Sequence, residues 1–412
     1  MIKAIPDKTR LELVTLLDKA AFFFFAVLIF FLPISGAIIE ISFGFIFFLI
    51  IIRAFLLGVS LKQISTFLKN KINLSALIFY VCISLSLFAS GDLLPKSFTA
   101  WYGKWGEAIL LFYFAQIFLK KKHVKIILKV FLASGLLLCI DGIFQRITGH
   151  DFLRGYELIN VLNFRYYGTT ASFKHFNIFG AYLLVLFFVT LGFLKEAKKK
   201  PIKISFIFYL VLILVNILFT YSRGAWVSFL VANFFILTFF FYENKKKLLY
   251  LIFPAVLVLG IIAFPTVRER FMLIFRNEGD SDRFEVWAAA VLMFKDSPLI
   301  GRGLGLFMDY LPQYTWATGR YAHNCYLQML AETGILGLSS FLWLLGVIIW
   351  EGFRILRRRF DNIFAGMYFG LSVFLIHAFF DNHFYSLKIY TLFWIFAAFI
   401  TLFIYSKEEK IQ

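Results

Sequence analysis

Between Ile204 and Phe241 the chain carries a single charged residue, Arg223. A helix needs about 20 apolar residues to cross the roughly 30 Å hydrocarbon core of a bilayer, so this run is long enough for two crossings that meet at the arginine. Lipid offers nothing to an unpaired backbone N–H or C=O, which confines spanning segments to helices or closed barrels, and continuous runs of this length belong to helices. The same search along the chain gives twelve candidate spans, near 19–36, 38–58, 74–90, 102–119, 124–144, 176–194, 204–221, 224–242, 248–265, 330–350, 363–380 and 389–405. Composition agrees. Hydrophobic residues make up 61% of the 412 positions and charged residues 16%, against about 45–50% and about 25% in soluble domains. The expected fold class is therefore an all-α integral membrane protein of about 12 transmembrane helices. It would divide into spans one to nine (1–265), a large loop containing short helices (266–325) and spans ten to twelve (326–412). Cys82, Cys139 and Cys325 show neither disulfide-framework nor metal-ligand spacing.

A net charge of +18 raises the question of nucleic acid, but the basic residues form no contiguous domain. They bunch into short runs between spans: Lys120-Lys121-Lys122, Lys198-Lys199-Lys200, Lys245-Lys246-Lys247 and Arg357-Arg358-Arg359. Such runs hold loops on the cytoplasmic side, and alternate loops carry them, so both termini are expected in the cytoplasm. The first span follows a charged, partly amphipathic segment without a small-residue cleavage site and reads as retained. No nucleic-acid partner is expected; membrane lipid is.

Basic residues on the other side collect in two loops, 146–174 and 266–325, and of those eleven only Lys174 and Lys295 are lysines. Arginine's rigid donor fork suits bidentate binding of phosphate or carboxylate, although interfacial arginines also anchor to lipid headgroups. A 60-residue loop in a compact protein is expected to be structured. Val267, Phe271, Ile274 and Phe275 have the spacing of a helix lying on the membrane surface. Asp282 with Glu285 resembles a capping box, predicting a helix from about Arg283 to Lys295 with Arg283 in its first turn. Gly301-Arg302-Gly303-Leu304-Gly305 reads as a tight turn where backbone approaches backbone, since no βαβ unit surrounds it. Asp280-Ser281-Asp282 has the short form of a metal-dependent sugar transferase motif, but so brief a pattern recurs by chance, and no metal is expected there.

The segment Tyr321-Ala322-His323-Asn324-Cys325-Tyr326 leads to Glu332-Thr333-Gly334. A short helix starting near His323 and broken at Gly334 would hold the imidazole at the membrane's outer face. Histidine titrates near neutrality, so it is the side chain best suited to take a proton there, although an interfacial histidine taken alone is more often structural. Arg223 sits at the outer mouth of two helices joined by almost nothing, which makes it a functional candidate. His377 and Asp381, at i, i+4, read as a hydrogen-bonded pair with His383 beyond. Asp141 and Glu107 are acidic residues within proposed spans; a proton-coupling role for Asp141 would suit a transporter.

In order along about 165–385, Gly168-Thr169, His175-Phe176-Asn177, Tyr221-Ser222-Arg223-Gly224-Ala225, Arg283 with Trp287, Pro298 to Gly305, His323-Asn324 through Glu332-Thr333-Gly334, and His377 with Asp381 resemble the O-antigen ligase superfamily. Phe176-Asn177 departs from the Pro-Asn common in relatives. The resemblance implies a GT-C-like helical membrane fold and an inverting, metal-independent glycosyltransferase that needs no cofactor. Its donor would be O-antigen glycan on undecaprenyl pyrophosphate and its acceptor a lipid A–core hydroxyl, at the periplasmic face of the bacterial inner membrane. His323, Arg223 and Arg283 match the family's essential residues; Arg302, Arg320, Tyr321, Asn324, His377 and Asp381 are candidate substrate-binding residues. A polymerase extending the carrier-linked glycan, and a twelve-span transporter or flippase, are the alternatives. The transporter is disfavoured by the lack of two similar halves and of an ionisable ladder across the membrane.

Overall fold

The computed structural model describes residues 6–58, 60–162, 166–240, 248–273 and 281–405. Arg165, Lys245-Lys246-Lys247, Ile274, Phe275, Arg276 and Asp280 lie outside the described residues, as does the side chain of Asp282.

The chain is helical almost throughout. Helices α1 (Asp7–Phe31), α2 (Gly36–Leu57), α3 (Leu61–Leu68), α4 (Lys71–Ser84), α5 (Leu94–Ala100), α6 (Glu107–Phe118) and α7 (Lys121–Thr148) come first. A short hairpin of β1 (Ile159–Leu162) and β2 (Tyr166–Gly168) then leads to α8 (Phe176–Glu196), α9 (Lys200–Phe219), α10 (Arg223–Phe240), α11 (Leu248–Ala263) and α12 (Pro265–Met272). Helices α13 (Ser281–Asp296), α14 (Phe307–Tyr310), α15 (Cys325–Arg358), α16 (Asn362–His377) and α17 (Leu387–Tyr405) complete the fold.

Each of the twelve expected spans falls, among the described residues, on helix. Among the described residues, eight helices are long and apolar enough to cross a membrane, or nine if the bent pair of 252–263 and 265–272 is one span. The shorter ones have local causes. A π-turn at Trp101–Gly106 interrupts the helix before α6, and α16 has 16 residues, about 24 Å of rise. The 99° bend after Ala263 falls at Pro265, where a helix starts readily but does not continue from upstream.

Helix α8 is the hub, with 94% of its most apolar window buried. It packs most extensively on α16, where Gly192 and Gly366 let the backbones meet: a Cβ on Gly192 would stand 2.6 Å from the Asn362 carbonyl oxygen. In lipid, small residues are the general means of such close approach, because dispersion contacts replace the hydrophobic drive. Large apolar side chains such as Phe48, Phe208, Leu259 and Trp350 point outward, as expected of a surface that lipid covers. This is an all-α integral membrane protein.

The described residues of 266–325 are structured, and Val286, Ala290, Met293, Phe307, Leu311 and Ala322 pack together in a core of their own. Helix α12 buries Val267 and also Arg270, so it is held inward as well as along the surface. Helix α13 begins at Ser281, ahead of the expected start, which leaves Arg283 in the first turn and places Asp282 inside the helix instead of at its cap.

Candidate active site

The turn between α16 and α17 organises the site. Ala378 accepts a hydrogen bond from the Cys325 backbone N–H at 2.9 Å, which ties the turn to the start of α15. Next in the turn, the Phe380 carbonyl accepts from Arg283 Nη1 at 3.3 Å. Asp381 Oδ1 lies 2.9 Å from His323 Nδ1. Two consecutive residues of one turn therefore hold an arginine from α13 and a histidine from the loop before α15.

His323 lies outside the helix that was expected to carry it. Its φ of 49° is left-handed, a conformation that a non-glycine residue keeps only where its surroundings enforce it. Asn324 explains why: its Oδ1 accepts from the Tyr326 and Leu327 backbone N–H groups and caps α15. The chain must turn sharply into the cap, and His323 absorbs the turn. The loop is braced further by Trp287 Nε1 donating to the Ala322 carbonyl at 2.7 Å and by the Ala322 N–H donating to Gln328.

Asp381 is buried. Burial alone raises a carboxyl pKa, but the hydrogen bond from His323 and the fields of His175, His323 and His383 outweigh it and hold Asp381 well below the ordinary carboxylate range. An ionised carboxylate only accepts, so Nδ1 of His323 carries the proton and Nε2 presents its lone pair. His175 stands 3.8 Å from the other Asp381 oxygen, too far for a hydrogen bond. Its Nδ1 instead accepts from the Asn177 N–H and caps α8, and burial lowers its pKa. The i, i+4 pairing expected of His377 with Asp381 does not form, because α16 ends at His377 and the turn redirects the chain. His377 Nδ1 meets His383 Nε2 at 2.9 Å, and burial brings the His383 pKa down to about 4.

Beside this turn lies a cleft of about 110 Å³ lined by Arg223, Arg270, Arg283, Phe176, Asn177 and Phe380 among others. Arg223 opens α10 at the expected turn, where Ser222 Oγ accepts the Ala225 N–H and donates to Asn177 Oδ1 at 2.7 Å. Gly224 lets Phe380 and His377 approach; a Cβ there would stand 2.8 Å from the Phe380 Cβ. Two helix starts, those of α10 and α13, and the bent α12 thus bring three arginines to one cleft. Guanidinium groups sharing so small a space repel, and an anion with several oxygens relieves that repulsion.

The remaining candidates are placed differently. Arg302 donates to Asp296 at 2.7 Å and to Tyr314 at 2.6 Å, away from the cleft. Arg320 is exposed and Tyr321 is partly so, its ring near that of Tyr385. Asn324 and His377 are buried. Arg270 and His175 were not among the sequence candidates. Arg270 follows Val267 by three residues and so shares its helical face, a spacing visible in the sequence. Asp141 accepts the Phe152 N–H at 2.8 Å, which ties α7 to the 150–156 loop.

Glu332 supports the site from behind. Its carboxylate accepts from the Gly305 and Phe307 N–H groups, Gln328 and Tyr385. Gly301 and Gly334 let the glycine turn pair with α15 where that helix kinks: Arg302 N–H donates to Ala331, Gly303 N–H to Glu332, and Ile335 N–H to Pro298. Gly334 has φ 64°, and a Cβ on it would stand 2.4 Å from the Leu299 carbonyl carbon. The backbone-to-backbone turn and the break at Gly334 are both present. Among the described residues no group of three or more His, Cys, Asp or Glu side chains is arranged to hold a metal ion.

Residues 208–342 match the family model described as O-antigen ligase. No curated protein matches the chain. The matched stretch runs from α9 into α15 and holds Arg223, Arg270, Arg283, His323 and the Gly334 kink, while His175 and the Asp381 turn lie beyond it. Over that stretch the chain is similar to the O-antigen ligase family.

Proposed function

We propose that this protein is an O-antigen ligase, moving a polysaccharide from undecaprenyl pyrophosphate to a lipid A–core hydroxyl at the periplasmic face of the inner membrane. The observation that carries the reading is the turn at Phe380 and Asp381, whose consecutive residues hold an arginine of the arginine-lined cleft and an oriented histidine.

In this reading the diphosphate sits against Arg223 and Arg283, with Arg270 contributing to the same positive field. The acceptor hydroxyl attacks C1 of the donor sugar from the side opposite the diphosphate, so the anomeric configuration inverts. The new C–O bond forms as the C1–O bond to the diphosphate breaks. The hydroxyl proton passes to Nε2 of His323, and the electron pair of the broken bond leaves with the diphosphate. Arginines that bind the growing charge better than the ground state lower the barrier. Asp381 holds the imidazole in the tautomer that accepts at Nε2 and stabilises the imidazolium once formed.

The test uses purified protein with undecaprenyl-pyrophosphate-linked glycan and lipid A–core lacking O-antigen. Transfer of intact glycan to lipid A–core, lost in Arg223→Ala and His323→Ala proteins that remain folded, supports the ligase. Longer carrier-linked glycan without transfer makes it a polymerase, and no reaction of either kind overturns both.

A further inference from the structure

At the end of α15 opposite His323 lies a second cavity, of about 350 Å³, lined by Lys71, Glu351, Arg354, Arg358, Ile404 and Tyr405 among others. It sits where the start of α4 and the ends of α15 and α17 meet. Glu351 is buried to 5% exposure. Its carboxylate takes Arg354 Nη1 at 2.9 Å from both oxygens and Lys71 Nζ at 3.4 Å. One buried carboxylate thus orients two cations at the cavity wall, and Arg358 adds a third, so among the described residues the lining carries an excess of positive charge.

Neutralising Glu351 requires one cation, and the surplus needs another explanation. Basic loops on this face keep it in the cytoplasm, but that effect depends on charge and not on a cavity. Here the charges line a hollow between helices whose other lining, Ile355, Ile404 and Tyr405, is largely apolar. Cations beside apolar side chains, at the membrane boundary between spans, suit a phosphodiester with acyl chains attached.

We infer that this cavity binds the phosphate headgroup of an anionic phospholipid of the inner leaflet. Lys71, Arg354 and Arg358 pair the phosphate, while Ile404 and Tyr405 cover the glycerol end. The site is separate from the arginine cleft and independent of the reaction assigned to it.

The experiment is thermal unfolding of delipidated, detergent-purified protein titrated with phosphatidylglycerol, phosphatidylcholine or inorganic phosphate. Native mass spectrometry counts the retained lipids. The proteins compared are the wild type, Lys71→Ala/Arg358→Ala and Lys198→Ala/Lys199→Ala; the last removes two exposed charges from the same face, outside the cavity. The expected result is stabilisation by phosphatidylglycerol over phosphatidylcholine, with apparent affinity weakened about 30-fold in the Lys71/Arg358 variant and unchanged in the Lys198/Lys199 variant. Equal weakening in both variants, or no preference for the anionic lipid, overturns the site. Stabilisation by inorganic phosphate alone, lost in the Lys71/Arg358 variant, keeps an anion site and overturns the lipid. Glycan transfer is not read out, so the outcome is independent of the proposed reaction.

Discussion

His323 and Asp381 are 58 residues apart in sequence, and their side chains meet at 2.9 Å. The pair has a direction: a buried carboxylate accepts Nδ1–H, and the proposed reaction uses the other ring nitrogen, Nε2. His323→Ala is expected to lower transfer by about 10²–10⁴-fold in protein that still folds. Asp381→Asn keeps the shape but loses the charge that favours the imidazolium, so kcat should fall with little change in either KM. Steady-state rates against donor and acceptor separately are the check, and Asp381→Asn at wild-type kcat would remove Asp381 from the mechanism.

The arginines divide into two groups by position. Arg223→Ala and Arg283→Ala, at the cleft, should each cost about 10²–10³-fold in kcat. Lysine at either position should restore only part of it, since a point charge lacks the planar fork. Arg302 is engaged by Asp296 and Tyr314, so Arg302→Ala should transfer at close to the wild-type rate per folded molecule. Assaying the panel side by side decides the matter, and a large defect in Arg302→Ala alone would count against the cleft as the proposed diphosphate site.

Glu332 receives two backbone N–H donors and two side-chain donors in a buried setting. Glu332→Gln presents an amide to some of those donors and should destabilise the protein by about 1–3 kcal/mol. Gly334→Ala should be at least as damaging, because the side chain meets the Leu299 backbone at a positive φ. Thermal unfolding in detergent measures both; Gly334→Ala melting with the wild type would show that the kink is not needed, and Glu332→Gln doing so would show that the carboxylate is not.

Acid should weaken the fold through His383. Its pKa is about 4 in the folded protein against about 6.5 in an unfolded chain. Between those values the unfolded chain binds more protons, so the stability is present above pH 6.5 and is lost as pH falls toward 4. About 2 kcal/mol of it should be gone by pH 5. Asp381, held below its ordinary range, acts in the same direction at still lower pH. Melting temperatures from pH 7.5 to 5 provide the measurement; His383→Asn should flatten the slope, and an unchanged slope would refute the role of His383.

Some of the site was legible locally. Arg223 stood out as the one charge in a long apolar run, and Arg283 was expected in the first turn of a helix, where the structure has it. The misreadings were local too. Asn324 before an apolar run is a capping signal, and reading it so would have put His323 outside α15. The i, i+4 spacing of His377 and Asp381 means a shared face only while the helix continues, and it ends at His377.

The sequence by itself determined that the chain enters a membrane, where its helices lie and which glycines turn. Those outcomes depend on segment length, apolar content and φ preference, all properties of a few consecutive residues. Only the tertiary structure decided that Phe380 and Asp381 would gather Arg283 and His323, and that α12 would turn Arg270 into the cleft. Side chains from distant segments meet through helix packing around α8 and α16, and that packing depends on the shape of every contacting surface at once. No local pattern in the sequence records it.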